Sequence, residues 1–227
     1  VVKIEEVECI RNKQGEVTSV RICRPIRRGE NIRLKATDYA VGQKVLHAGV
    51  QISPEHVLAL SSLGISQVRI RAFPKVAIVS TGSELVDFSE ETLAPGMIRN
   101  STGNFLVASF KKCGIDARYF GIIHDDAKLY QKTLEKILTE NFEIIISTGA
   151  VSMGKFDFVS EVLQKMNAKI HFHKASIRPG KPILFAEFDN ELGRPVFFGV
   201  PGNPVSTAVG MRFFVEAYIR AILNLPR

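Results

Sequence analysis

The sequence predicts an α/β protein: a mostly parallel sheet with helices on both faces, preceded by a small β-rich region. Three observations carry that expectation. From Lys75 onward, short apolar runs alternate with segments of helical spacing, the pattern of consecutive strand–helix units. The apolar runs at 76–80 and 142–146 are continuous, as strands buried on both faces require. The turns after them are rich in Gly, Ser, Thr and Pro, which leave backbone uncovered at the edge where such sheets bind ligands.

Taken in order, residues 1–35 read as an antiparallel hairpin. Val2, Ile4, Val7 and Cys9 alternate in part, Asn12-Lys13-Gln14-Gly15 turns, and Val17, Val20, Ile22 and Ile26 return. A basic run, Arg27-Arg28-Gly29-Glu30-Asn31-Ile32-Arg33, then leads to Asp38. The spacing of Val57, Leu58 and Leu60 after Ser53-Pro54-Glu55 predicts a helix with an N-cap residue and Pro at its first position, ending at Gly64. Val68 and Ile70 read as a last strand. Three regions are expected: a β-rich fragment over 1–41, a small α+β linker module over 42–74, and an α/β core over 75–227.

Within the core, strands are expected at 76–80, 117–123, 142–146, 169–174, 182–188 and 196–198. Helices are expected at 100–112, around Leu129–Leu134–Ile137–Leu138, at 158–166 and from Pro204 through Ile222.

The totals bound the partners. The chain has 227 residues, 45% apolar, with a formal charge of +7, which favours an anionic ligand. It has no basic low-complexity tail, no Trp, and no aromatics interleaved with Lys and Arg. A small anion in a pocket therefore fits better than nucleic acid. Cys9, Cys23 and Cys113 form no CxxC pair, which reads as reduced thiols of a cytoplasmic protein. No run approaches a membrane span. The opening VVKIEE has no Met, and the expectation is a fragment with an incomplete N-terminal element.

Six segments carry unusual chemistry: Thr81-Gly82-Ser83-Glu84; Gly96-Met97-Ile98-Arg99-Asn100-Ser101; His124-Asp125-Asp126; STGAVSMGKFD over 147–157; Lys174-Ala175-Ser176-Ile177-Arg178-Pro179-Gly180-Lys181-Pro182; and Gly199-Val200-Pro201-Gly202-Asn203-Pro204-Val205-Ser206. All are expected on one edge of one sheet. The 147–157 stretch joins a strand to a helix start, whose free N–H groups suit a phosphate or other oxyanion. Carboxylates at Glu84, Asp125 and Asp157 beside cations at Lys174, Arg178 and Lys181 describe a site for a phosphorylated ligand with a divalent ion. Hard oxygen ligands suit Mg²⁺, which binds through one or two carboxylates plus substrate phosphates. Simpler readings exist: Asp125-Asp126 as a helix cap pair, 201–204 as a rigid turn, and the basic run at 27–33 as a solvated loop.

Other chemistries are excluded more directly. His171 and His173 alternate, so on a strand they share a face, but no third ligand stands at zinc spacing. Neither GxGxxG nor GxxxxGK[ST] occurs, and Ser80 and Ser206 lack a nucleophile-elbow setting.

STGSEL, PGMIRNS, HDD, STGAVSMGKFDF, RPGKP at 178–182 and GVPGNPVS at 199–206, in this order and spacing, resemble the molybdopterin molybdenumtransferase family, which includes the E domain of gephyrin. RRGENIR and the TD and AG that follow it resemble the segment before that core, so the resemblance covers essentially the whole chain. It implies insertion of molybdate into adenylylated molybdopterin with release of AMP, using Mg²⁺. Carried over by position, it implies that Glu84, Asp125 and Asp157 form the metal and cofactor-precursor site. By the same resemblance, Lys174, Arg178 and Lys181 would hold molybdate and phosphate. It likewise implies that Thr81, Gly82, Asn100, Ser101, Gly149, Ser152, Gly154, Pro201, Gly202, Asn203 and Ser206 line the pterin and nucleotide cleft. Arg33 and Asp38 match charged positions of the preceding domain, which in the family faces the other subunit of a homodimer.

Ala150 stands where many members have Gly, and Thr102 where Asn is usual; the family's N-terminal portion and C-terminal β-rich domain have no counterpart in this sequence. Two alternatives stay open: the related molybdopterin adenylyltransferase, and a non-catalytic molybdopterin-binding or scaffold module.

Overall fold

The structure is a computed structural model, and it describes residues 1–149, 158–189 and 193–225. It divides into two compact units, Val1–Ser66 and Gln67–Arg227.

In the first unit, β1 (Val7–Arg11) pairs antiparallel with β2 (Val17–Ile22), Val7 opposite Ile22. Asn12 makes the turn: its Oδ1 accepts from the N–H groups of Gln14 and Glu16 at 3.0 Å. The Arg24 guanidinium joins Glu6 and Glu30 at 2.6 and 2.5 Å. Helix α1 (Pro54–Ser62) starts with Pro54 in its first turn, as the sequence predicts. No described residue of this unit is buried; Ile10, Val20, Ile22 and Leu58 all stand exposed. A two-stranded hairpin without a covered face is marginal alone.

The second unit begins without the strand expected at Val68 and Ile70. No strand forms there, and both side chains are exposed. Apolar alternation over so short a run makes a strand only where another strand supplies the hydrogen bonds.

The core sheet has six strands in the order β6–β3–β7–β10–β9–β8. They are β3 (Val76–Thr81), β6 (Ala117–Ile123), β7 (Ile144–Thr148), β8 (Lys169–His173), β9 (Leu184–Glu187) and β10 (Val196–Val200). The first four in the order are mutually parallel; β9 runs antiparallel to β10, and β8 antiparallel to β9. A short parallel pair, β4 (Leu85–Val86) with β5 (Ile98–Arg99), lies outside this sheet.

Every residue of β3, β7 and β10 is buried, which is why these strands are apolar on both faces. Ile78, Ile144, Ile146, Phe198 and Val200 face α2 (Thr102–Lys112) and the C-terminal helical stretch, contacting Leu106, Phe110, Met211 and Val215. Ala77, Val79, Ile145 and Phe197 face α3 (Ala127–Thr139) and α4 (Phe158–Lys165), contacting Tyr130, Leu134, Ile137, Val159 and Leu163. Each Val, Leu, Ile, Phe or Met side chain among these, fully buried, contributes about 1.5–3 kcal/mol. The C-terminal stretch is α5 (Pro204–Gly210), a π-helical turn over Met211–Val215 and α6 (Glu216–Ile222).

Candidate functional site

The strand register brings the described parts of the predicted loops to one edge. Val200 lies opposite Thr148, Thr148 opposite Ser80, and Thr81 opposite Ile123. Gly199 pairs with Leu184 and Leu184 with His173, so the turn between the antiparallel β8 and β9 reaches the same rim. Chain order reverses between β3 and β7: after β3 the chain leaves through α2 on one face, and after β7 through α4 on the other. Such a switch opens a crevice at the carboxyl ends of the strands. From β6, which leads to Asp125, to β9, which follows the cationic turn, there are four strand spacings of about 4.8 Å, on the order of 20 Å.

The floor of the crevice is close-packed. Thr81 Oγ1 donates to the Thr148 carbonyl at 3.1 Å, and the Gly149 N–H donates to the Val200 carbonyl at 3.1 Å. Gly149 has φ of +86°, and a Cβ there would lie 2.2 Å from the Thr81 carbonyl oxygen. Only glycine satisfies both constraints. Gly202 sits beside it, with the Gly149 Cα 3.5 Å from where its Cβ would stand. Three of the predicted turns therefore meet backbone to backbone.

On the acidic side, the Gly82 N–H donates to the Ile123 carbonyl and the Ser83 N–H to Asp125 Oδ2 at 3.0 Å. The Glu84 carboxylate folds back over Gly82, 2.7 Å from where a Cβ would be. Glu84 and Asp125 thus flank one turn, and both are exposed. The adjacent Asp126 does something different: its Oδ1 accepts from the Lys128 and Leu129 N–H groups and caps α3. The pair read from sequence divides into one cap and one rim carboxylate: Asp125, with φ of +43°, bonds the Ser83 N–H and not the start of α3. Asp157, Ser152 and Gly154 lie outside the described residues.

On the basic side, Lys174, Arg178 and Lys181 are exposed on one turn. It is tied by Lys174 N–H to the Ile183 carbonyl at 2.8 Å and Ala175 N–H to the Lys181 carbonyl at 2.9 Å. Gly180 seats it against Val209 of α5. None of the three cations makes an ion pair among the described residues. The two histidines of β8 do not share a face. A bulge between Ile170 and Phe172 breaks the alternation, placing His171 Nε2 3.2 Å from Glu187 and His173 Nδ1 3.4 Å from Ser160 of α4.

Of the remaining predicted contacts, Pro201 is buried and Asn203 caps α5, its Oδ1 accepting from Val205 and Ser206 N–H. Ser206 is half-buried and Ser101 exposed at the rim. Asn100 is only 3% exposed, and its amide is fully engaged with protein groups. In the first unit, Arg33 and Asp38 form an exposed ion pair with each other.

Sequence reasoning missed the hydroxyls beneath the rim. Ser80, Thr102 and Thr148 are buried in a chain with Asn100: Thr148 Oγ1 lies 3.2 Å from both Ser80 Oγ and Thr102 Oγ1. Thr207 Oγ1 ties the turn of 201–203 to α5, donating to the Pro201 or Asn203 carbonyl at 2.6 and 3.0 Å. A signal existed, since β3 and β7 both end in Ser-Thr followed by Gly.

Among the described residues, no group of three or more His, Cys, Asp or Glu side chains is placed to hold a metal ion, and no helix is long and apolar enough to cross a membrane. Comparison with known proteins is consistent with the rim. The family described as "Probable molybdopterin binding domain" matches residues 77–221. A molybdopterin molybdenumtransferase of Synechococcus elongatus is 32% identical over all 227 residues, covering 54% of that protein. Another from Nostoc sp. is 37% identical over 199 residues, 88% of this chain and 45% of the relative. The chain therefore spans about half the length of the curated relatives it matches. Among solved structures, a molybdopterin biosynthesis moeA protein from Pyrococcus horikosii superposes with a TM-score of 0.75 at 26% identity, over 99% of this chain and 53% of that one. The tungsten cofactor synthesizing protein MoaB from Pyrococcus furiosus shares the fold alone, with a TM-score of 0.52 at 12% identity over 68% of this chain and 97% of that one. With its matched core, its rim of glycine turns and its likeness along the whole chain, this protein belongs to the probable molybdopterin-binding domain family, in the form found in molybdopterin molybdenumtransferases.

Proposed function

We propose that this chain is the ligand-binding core of a molybdopterin molybdenumtransferase, which takes adenylylated molybdopterin and molybdate, breaks the phosphoanhydride, releases AMP and leaves molybdenum on the pterin dithiolene. The observation that carries this reading is the rim itself. Rigid glycine turns stand between a pair of carboxylates and a turn bearing three cations, on the order of 20 Å apart. That span suits an extended ligand with a ring system at each end and phosphates between them.

Such a transfer needs little covalent chemistry from protein. Lys174, Arg178 and Lys181 neutralise molybdate and phosphate, acting where charge develops. Thr81, Gly82, Ser101, Gly149, Gly202 and Ser206 line the cleft, and Pro201 and Asn203 fix its last turn. The carboxylates fit Mg²⁺: Glu84 and Asp125 flank one exposed turn, and this ion needs only one or two protein carboxylates, with phosphate and water completing its shell. When bound, the ion polarises the phosphoanhydride. Asp157 joins this pair by the resemblance of its motif.

The likeness to a molybdenumtransferase through residues 1–74 supports this reading over an adenylyltransferase. A homodimer is part of the proposal, because the first unit carries its apolar side chains uncovered. The test is incubation of the full-length protein with adenylylated molybdopterin, Mg²⁺ and molybdate. AMP release that depends on molybdate is expected, and Asp157→Ala is expected to abolish it without unfolding the protein. Release that ignores molybdate, or survives Asp157→Ala, refutes the assignment.

A further inference from the structure

We propose that Asn100 is a positioning residue of this site: it caps α2 in place of Ser101, and so leaves the Ser101 hydroxyl turned to the rim for the ligand. The inference rests on the molybdenumtransferase reading for the ligand, and on the following geometry for the rest.

Serine is a favoured N-cap residue, and an N-cap normally has extended backbone with its side chain bonded to the N–H two or three residues on. Ser101 holds the N-cap position of α2 but has φ of −94° and ψ of −27°, and makes no capping bond. The N–H of Gly103 donates instead to Asn100 Oδ1 at 3.2 Å. Thr102 Oγ1 lies 3.2 Å from the same oxygen. The Asn100 amide nitrogen donates to Ser80 Oγ at 3.1 Å and to the Tyr119 hydroxyl. Both protons and both acceptor sites of the amide are therefore used.

The partners of Asn100 sit on different elements. Ser80 is on β3 and Tyr119 on β6, while Thr148, reached through Thr102 and Ser80, is on β7. The start of α2 is thereby fixed to the three strands whose ends carry Glu84, Asp125 and Gly149. Gly103 has a role here unrelated to backbone freedom. A Cβ on it would meet Tyr119 Cε2 at 2.8 Å and Asn100 Nδ2 at 3.0 Å. The Tyr119 ring can lie against the first turn of α2 only because residue 103 has no side chain.

The experiment measures molybdate-dependent AMP release by the full-length enzyme in a double-mutant cycle. Asn100→Leu removes the cap and leaves Ser101 in place; it is expected to lower kcat about ten-fold or more with KM for molybdate held within about two-fold, the scale of a lost buried hydrogen bond to a positioned group. Asn100→Asp is expected to recover activity to within about three-fold of wild type, because Ser80 and Tyr119 hydroxyls rotate to donate and Thr102 and Gly103 already do. Ser101→Ala combined with Asn100→Leu is expected to be no worse than the more damaging single change, since the two act as one unit. Additive losses, or an Asn100→Leu enzyme with lowered Tm and unchanged kcat, overturn the proposal.

If wild type releases no AMP, the transferase reading fails and the positioning claim is read by amide hydrogen exchange. Exchange at Gly103 rises about ten-fold or more in Asn100→Leu if Asn100 is the cap, as loss of protection requires. Unchanged exchange there overturns the claim.

Discussion

Replacing Gly149 by Ala tests whether the crevice floor is built as described. Two penalties combine at this residue. Its φ of +86° lies in the left-handed region, which costs an L-residue about 1–2 kcal/mol. The added Cβ would also stand 2.2 Å from the Thr81 carbonyl oxygen and 2.8 Å from its Oγ1. Neither atom belongs to a flexible side-chain end, because Thr81 is buried and its hydroxyl donates across to Thr148. Relieving such an overlap by backbone movement costs about 1–3 kcal/mol more. The total of about 2–5 kcal/mol corresponds to a fall in Tm of roughly 4–20 °C for a unit of this size. The assay is thermal and guanidinium unfolding of Gly149→Ala beside Gly202→Ala. At Gly202 φ is not positive and the nearest atom would be 3.5 Å away, so its change is expected within about 0.5 kcal/mol. Equal midpoints for Gly149→Ala and wild type would falsify the argument that strands β3 and β7 approach too closely there for any side chain.

Three further outcomes are expected. Asp126→Ala removes the cap of α3 and is expected to cost about 1 kcal/mol in urea unfolding while AMP release stays within about two-fold of wild type. Asp125→Ala is expected to do the reverse, with a loss of at least about 100-fold in release and little change in midpoint, as removal of a group acting in the reaction should; matched effects from the two variants would erase the distinction. In the first unit, the Arg24 guanidinium, helped by the Arg27 N–H, holds the Glu30 carboxyl down to about 2. A depressed carboxyl supports the fold above its unfolded pKa, and that support is lost as pH falls from about 4.5 toward 2. NMR titration should place the Glu30 midpoint near 2 and move it up in Arg24→Ala, and a midpoint near 4.5 in wild type refutes the pairing.

The sequence alone settled the layout of the core. Continuous apolar runs require strands buried on both faces, and residues 117–123 are predicted and observed with the same bounds. Helical spacing placed α2, α3 and α4 to within about two residues, the usual uncertainty of helix ends. It also placed the described parts of the Gly-, Asp-, Lys- and Arg-bearing segments at strand ends, where the structure has them. Two failures were features set by a partner: Val68 and Ile70 found no strand to pair with, and a bulge turned His171 and His173 to different neighbours. A third was local, since Ile4, read as extended, begins a 3-10 turn over Ile4–Glu6 and the first strand starts at Val7.

Tertiary structure decided which side chains hold the site together. Both β3 and β7 end in Ser-Thr followed by Gly, but their register is offset so that Ser80 stands opposite Thr148. With side chains alternating between faces, that one-residue offset puts Ser80 and Thr148 together on the α2 side and sends Thr81 and Ser147 to the other. The same dependence divides Asp125 from Asp126, and Asn100 from Ser101. Adjacent residues of matching chemistry carry no local signal of which will bond within the protein and which will stay exposed. Sequence patterns fix what a residue can do; only the packing of distant strands, which uses up some hydrogen-bonding groups and leaves others free, fixes what it does.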